Sequence, residues 1–411
     1  MVISALKLRY NWGLYKPTKC VGWNSLALVF SILNQYFYII GSRFNIPSSG
    51  SIGTFLAIIC IIIAFLNSTK KLLSSYPYIM LVNILFAFLV TKAFVPEETS
   101  MTIYKFVAFA LIPMVTLMFK VDFKKVIRYF CYITPTTLIV LNSLFETNEF
   151  VQQMQMGYAY ALIPLIVANL IQFVYYRAES NWYLKLCNII AAYLVLRILM
   201  LGVRGAVLSL LCAFVITRFT KYNKNGERIS LDTWTTVKFI LLGAFILIVS
   251  INFVEVLEFV ADFCERMLGE VPNVITKTIK SIKSDDLSHG RTELYMFTWE
   301  AIKEKPFFGH GVLTFASGNF LYQYPHNCIL QLLYEVGFIG ALYPIVSITY
   351  GICTILFGGK KESKDEFLYH FLIFLTAFPM LFLSNEMWEV PAFWVAMILG
   401  AEMLGKKRLA V

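Results

Sequence analysis

Apolar runs of about 17–22 residues, separated by short polar stretches, recur along the whole chain. Each can cross a hydrocarbon core of about 30 Å as a helix. Lipid offers the backbone no hydrogen-bond partners, so every N–H and C=O must be paired internally, and helices are the default solution. The short alternating segments of a membrane β-barrel are absent. The pattern predicts an all-α polytopic membrane protein with twelve spans, near 21–41, 50–66, 77–95, 102–119, 126–145, 156–176, 184–202, 205–219, 236–257, 329–357, 367–384 and 391–405. No short apolar run ending in a small-residue cleavage site precedes the first span, so a cleavable signal peptide is not expected.

Composition agrees. Apolar residues make up 58% of the 411, against about 45–50% in soluble domains, and the mean hydropathy is +0.69. The net charge of +10 would suit nucleic acid, but its distribution does not. If the N-terminus is cytoplasmic, the segments expected inside hold 22 Lys and Arg, and the short ones expected outside hold two, Arg43 and Arg204. This is the positive-inside bias. The basic excess therefore reports topology, with both termini cytoplasmic, and no nucleic-acid partner is expected. The eight cysteines include no CxxC, and no His/Cys cluster has metal spacing. Only Cys264 and Cys328 fall on the expected outer side.

The organisation reads as one membrane domain: nine spans over 1–257, a large outer loop over 258–325, and three spans over 326–411. Loops of that length are usually functional or disordered. Within it, TELYMFTWEAIKEK sets Leu294, Phe297, Ala301 and Ile302 on one face of a helix. Such a helix lies on the membrane surface or caps the bundle. PFFGHG then predicts a turn. The loop holds seven Lys and Arg against nine Asp and Glu, so any anion site in it must use a few chosen residues.

Ionisable groups within spans are costly and point to function by default. Lys92, Lys105, Arg197 and Lys238 fall in expected spans, and Arg204 falls in a very tight turn, LGVRGAV, between two of them. Lys238, near a cytoplasmic end, is explained by snorkelling. The other four gather in the outer half of the membrane. Two readings stand: interfacial snorkelling, or a cation group for an anionic lipid head group, whose phosphate oxygens match the planar fork of Arg. At the next span, YPHNCILQLLYEVG places His326 at the entrance. An imidazole there is poised to take a proton near neutral pH, or is simply tied to backbone. Asn327 is placed to cap the helix. Gln331 and Glu335 share a face one turn apart, and Glu335 would orient His326 only if the helix starts irregularly.

These stretches resemble the O-antigen ligase and O-antigen polymerase superfamily of bacterial cell-surface polysaccharide assembly. Three carry the resemblance: VRGAVLSLL with Arg204, HGRTELYMFTWEAIKEKPFFGHG with Arg291, and PHNCILQLLYEVGFIGALYP with His326. Their order, and one large outer loop before the last helices, match that family. The resemblance implies a C-type membrane glycosyltransferase fold and an inverting reaction that needs no metal, nucleotide or other cofactor. The implied donor is a glycan on undecaprenyl diphosphate, and the acceptor is a second glycan. Arg204 and Arg291 would hold the diphosphate, with Arg197 and Lys105 as further cations, and His326 would activate or position the attacking hydroxyl. Asn327 and Glu335 would complete substrate binding. Asp285-Asp286 is adjacent rather than spaced and reads as a solvated turn. His310 matches no family position and reads as part of a turn.

Within the resemblance, a polymerase is favoured: the interval from Phe307 to His326 is short, and PHN stands where ligases resemble His-x-His-Asn. Polymerases of this kind commonly work with a chain-length regulator protein. The alternatives are a ligase acting on lipid A–core and a flippase for the same lipid-linked sugars. Against the flippase stand the absence of internal repeats and the single large loop bearing Arg291 and His326.

Overall fold

The computed structural model describes residues 19–44, 46, 49–66, 82–83, 104–141, 149–201, 203–220, 222, 253–269, 271, 275–276, 279, 291–315, 323–357, 363–382 and 386–408. Lys92, Lys238, Asp285 and Asp286 lie outside them, as do most of the expected spans 77–95 and 236–257. The regular structure among the described residues is helical, with no strand.

Ten of the expected spans coincide with helix. The first is bent by 63° between α1 (Lys19–Ile32) and α2 (Asn34–Arg43). Then come α3 (Ile52–Leu66), a π turn over Phe106–Leu111 leading into α4 (Ile112–Thr116), α5 (Phe123–Ile133) and α6 (Thr137–Leu141). The longer elements are α7 (Glu149–Tyr175), α8 (Trp182–Leu201) and α9 (Arg204–Phe219). After α10 (Phe253–Leu268) and α11 (Arg291–Glu304) come α12 (Cys328–Phe357), α13 (Lys364–Leu381) and α14 (Pro391–Arg408). Three stretches among these, Met156–Tyr175, Trp182–Leu199 and Cys328–Leu356, are long and apolar enough to cross a membrane singly, and the bent α1–α2 pair makes up to four. The other apolar helices are shorter or, like α13, carry more charge, so twelve full spans are not what the described residues display. The helix α10 also runs on to Leu268, past the point at which the sequence pattern begins the loop.

The centre is formed by α7, α13 and α14. From Phe367 to Leu381 every residue of α13 except Pro379 is buried, as expected of a helix that is apolar on all sides. The outer helices α8 and α12 expose Ile189, Leu196 and Leu342, which suits contact with lipid. Packing in lipid relies on close contact and hydrogen bonds rather than on expelling water. Gly400 supplies such contact: a Cβ there would collide with the Ser347 carbonyl of α12. Buried polar groups tie helices together. Asn24 Nδ2 donates to the Thr116 carbonyl (2.7 Å) at the end of α4, and Asn169 Nδ2 donates to Thr134 Oγ1 (2.7 Å). The Asn24 bond satisfies one of the carbonyls a helix end leaves unpaired.

The connections sort to two ends. At one, Lys124 and Arg128 pair with Glu179, and Lys364 donates to the Tyr175 carbonyl. At the other, Lys105 meets the connection between α13 and α14.

Candidate active site

The site is built around a broken helix. Two helical arms of α12 join at a kink at Gly337, where φ is 65° and ψ is −177°. Only glycine occupies that region readily. A break within an apolar helix frees backbone groups that must find partners. The PFFGHG stretch supplies them. The His310 and Gly311 N–H groups donate to the Tyr334 and Glu335 carbonyls at 2.7 and 2.9 Å. In return, Phe338 and Ile339 donate to the Pro306 and Phe307 carbonyls at 2.8 and 3.2 Å. The two backbones lie so close that a Cβ on Gly309 would strike Glu335, and one on Gly337 would strike Phe307. His310 thus belongs to a clasp: its ring stacks on Tyr334 with centroids 4.5 Å apart, and its Nε2 bonds the Ala301 carbonyl at 2.8 Å.

The short arm Cys328–Val336 is entered through His326, which has φ of 53°. The Asn327 Oδ1 accepts from the Ile329 and Leu330 N–H groups at 3.0 and 3.2 Å, so its oxygen serves as the helix cap. The ring of His326 lies against that of Tyr324, with centroids 4.4 Å apart.

Glu335 is 1% exposed and sits in a cup of donors. Gln331 Nε2 donates to its Oε1 at 2.9 Å, and Trp388 Nε1 donates to its Oε2 at 2.7 Å. The Leu313 N–H adds a third bond. Leu313 has φ of 60°. A left-handed conformation costs a branched residue about 1–2 kcal/mol, and strain of this kind persists where its surroundings fix it, often at functional sites. Leu313 and His326 are the non-glycine residues with positive φ among the described ones, and both belong to this site.

The connection before α14 brings two more carboxylates. Lys105 Nζ pairs with Glu386 Oε2 at 2.8 Å and Glu389 Oε1 at 3.1 Å. Burial pushes the Glu386 carboxyl above the usual carboxylate range, and Lys105 pulls it part of the way back. A cavity of about 560 Å³ opens between these groups, lined by Glu335, Glu386, Glu389 and Lys105 together with Asn34 and Gln323.

Tyr324, next to Gln323, joins the parts. Burial first, then the carboxylates of Glu386 and Glu389, push its phenol up to about 12, while Arg291 acts in the opposite direction. It therefore remains a hydrogen-bond donor at neutral pH. Arg291 is half-buried at the first turn of α11. The helix dipole disfavours a cation there, so its placement has a cost in this helix. Tyr160 also acts on Tyr324, and its hydroxyl blocks any Cβ on Gly205. The start of α9 is thereby brought toward the same place.

The sequence-derived residues divide as follows. His326 packs on Tyr324, whose phenol also feels the charge of Arg291, and Glu335 and Lys105 line one cavity. The backbone of Arg204 opens α9, and its side chain lies outside the described residues. Arg197 lies over the Tyr193 ring at 5.9 Å and acts on the buried Tyr158. Lys105 has its charge committed to two carboxylates. On α11 the buried stripe is Leu294, Thr298 and Ile302, whereas Phe297, expected on that face, is 65% exposed beside Met296. Sequence reading missed Tyr324, Leu313, Trp388, Glu386 and Glu389. For the last three, the signal was two acids flanking a Trp in a short link between apolar helices.

No curated protein matches the chain. Residues 189–345 match the family model described as O-antigen ligase. That stretch begins within α8 and includes α9, α11, the glycine clasp and the broken arm of α12, and it holds all three sequence stretches noted above. Over 189–345, less than half of its length, the chain is thus similar to the O-antigen ligase family, and this similarity supports a link to the O-antigen polymerase and ligase superfamily.

Proposed function

We propose that the protein is a membrane glycosyltransferase that polymerises oligosaccharide repeat units carried on undecaprenyl diphosphate. The reaction takes place on the outer face of the bacterial cytoplasmic membrane, with both termini inside. Arg291 and Arg204 hold the diphosphate of the donor. As the acceptor hydroxyl attacks the anomeric carbon, a new C–O bond forms and the bond to the phosphate oxygen breaks from the opposite face. The hydroxyl proton passes to His326, and the lipid diphosphate leaves with the electron pair, its charge stabilised by the arginines. No metal or nucleotide takes part, and a chain-length regulator is the expected protein partner. The observation that carries this reading is the packing of the His326 ring on Tyr324 beside a polar cavity, with Arg291 acting on the same phenol through its charge, within the matched region.

One observation favours a second reading, a ligase that transfers the glycan to lipid A–core: the matched family model is described by that activity. A single experiment separates them. Purified protein is given a lipid-diphosphate-linked repeat unit, alone and with lipid A–core, and the products are resolved on a gel. A ladder without lipid A–core, lost in Arg291→Ala, supports the polymerase. Product only with lipid A–core supports the ligase. No covalent product in either condition, with the matching sugar supplied, contradicts both.

A further inference from the structure

We propose that the cavity beside Gln323 is the acceptor-sugar site, and that it admits uncharged or amino-bearing sugars while rejecting acidic ones. This rests on the glycosyltransferase reading and adds to it the class of acceptor.

The cavity volume, about 560 Å³, falls within the about 300–1,000 Å³ range of small-molecule sites. Its walls carry amides at Asn34, Gln35 and Gln323 and rings at Phe109, Phe315 and Tyr104. Amides exchange hydrogen bonds with sugar hydroxyls, and ring faces cover the apolar faces of a pyranose. Charge then narrows the choice. Three carboxyl groups face one ammonium, and that ammonium is already bridged to two of them at 2.8 and 3.1 Å. Glu335 is 1% exposed, and no cation pairs with it among the described residues. It accepts three bonds where a carboxylate has about four acceptor positions, so capacity remains for a sugar hydroxyl or ammonium. Even with one carboxyl protonated, the lining has no surplus positive charge. A uronate or a diphosphate placed here faces carboxyl groups and finds no free cation among the described residues, which discriminates against it. The donor diphosphate is thereby kept to the Arg291 side, and the cavity is left for the acceptor.

Two further observations agree. The strained Leu313, whose N–H is turned onto Glu335, lines the cavity itself. In addition, Lys105, Glu386, Glu389, Asn34 and Gln35 all lie outside the matched region 189–345, whereas Glu335 and Gln323 lie inside it. The cavity thus joins residues inside the matched region to residues outside it.

The test reads binding without turnover. The full chain in lipid nanodiscs is titrated at low salt with three disaccharides: N,N′-diacetylchitobiose, which is neutral; chitobiose with free amines; and digalacturonate. Saturation-transfer NMR reports the affinities. The expected result is binding of the first two at least about tenfold tighter than digalacturonate. Glu389→Gln should shrink that gap, and Glu389→Arg should reverse it. The Glu389 side chain is 43% exposed, so both variants should fold. Equal or tighter binding of digalacturonate, or no binding of any of the three, overturns the proposal. Transfer activity together with equal binding of all three defeats this site alone. Selective binding by a protein that transfers nothing supports the sugar site and defeats the enzymatic reading.

Discussion

At one end of the bundle, Lys124 and Arg128 share Glu179, Tyr176 donates to Asp365, and Lys364 donates to the Tyr175 carbonyl. The helices that start there carry ordinary caps, with Asp122 accepting from Lys125 N–H at 3.0 Å and Ser363 from Glu366 N–H at 3.3 Å. At the other end, the helix is broken at Gly337, Leu313 and His326 have positive φ, and a buried carboxylate sits without a cation among the described residues. Both ends are crowded with polar groups, so crowding alone does not mark function. What separates them is that the first end settles its charges in regular geometry, whereas the second holds strain and surplus carboxylates in place with dedicated contacts. Local strain fixed by its surroundings is the usual mark of a working site.

Substitutions test this contrast. The largest effect is expected from Gly337→Ala, which places a side chain at φ of 65° against the Phe307 carbonyl. It should cost more than about 3 kcal/mol and lower the melting temperature of the detergent-solubilised protein by several degrees. An unchanged melting temperature would mean that the clasp is not what holds the arm. Next comes Trp388→Phe, which keeps the packing and removes one donor from Glu335. Leaving a buried acceptor short of a partner costs about 1–3 kcal/mol, and the loss should appear in thermal unfolding. The smallest effect belongs to the other end. Lys124→Gln leaves Arg128 on Glu179 in a pair about a third exposed and should change stability by less than about 1 kcal/mol. A larger loss there would erase the distinction between the two ends.

Much of this molecule was legible from hydropathy. The helices fall where the apolar runs are, because run length and lipid leave few alternatives. The cap at Asn327 and the turn at PFFGHG were also legible, since both are local. The break at Gly337 was not, because LLYEVGFIGALYP lies within one long apolar run and a glycine does not announce the sign of its φ. Nor was the partnership of Lys105 with Glu386, which lie 281 residues apart. A lone intramembrane lysine signals that a partner exists, and only the fold says which. Phe297 and Thr298 show the remaining error. Helical periodicity fixed a face for α11, but Phe297 turns outward and Thr298 inward, where its hydroxyl donates to the Leu294 carbonyl at 2.7 Å.

The central claim is that His326 serves the attacking hydroxyl. Its most direct test compares wild type with His326→Ala in two readouts on one preparation, binding of the lipid-diphosphate-linked glycan and single-turnover transfer to acceptor. Transfer reduced by about 10²–10⁴-fold with donor binding retained is the predicted result. Near-wild-type transfer in the variant would contradict it.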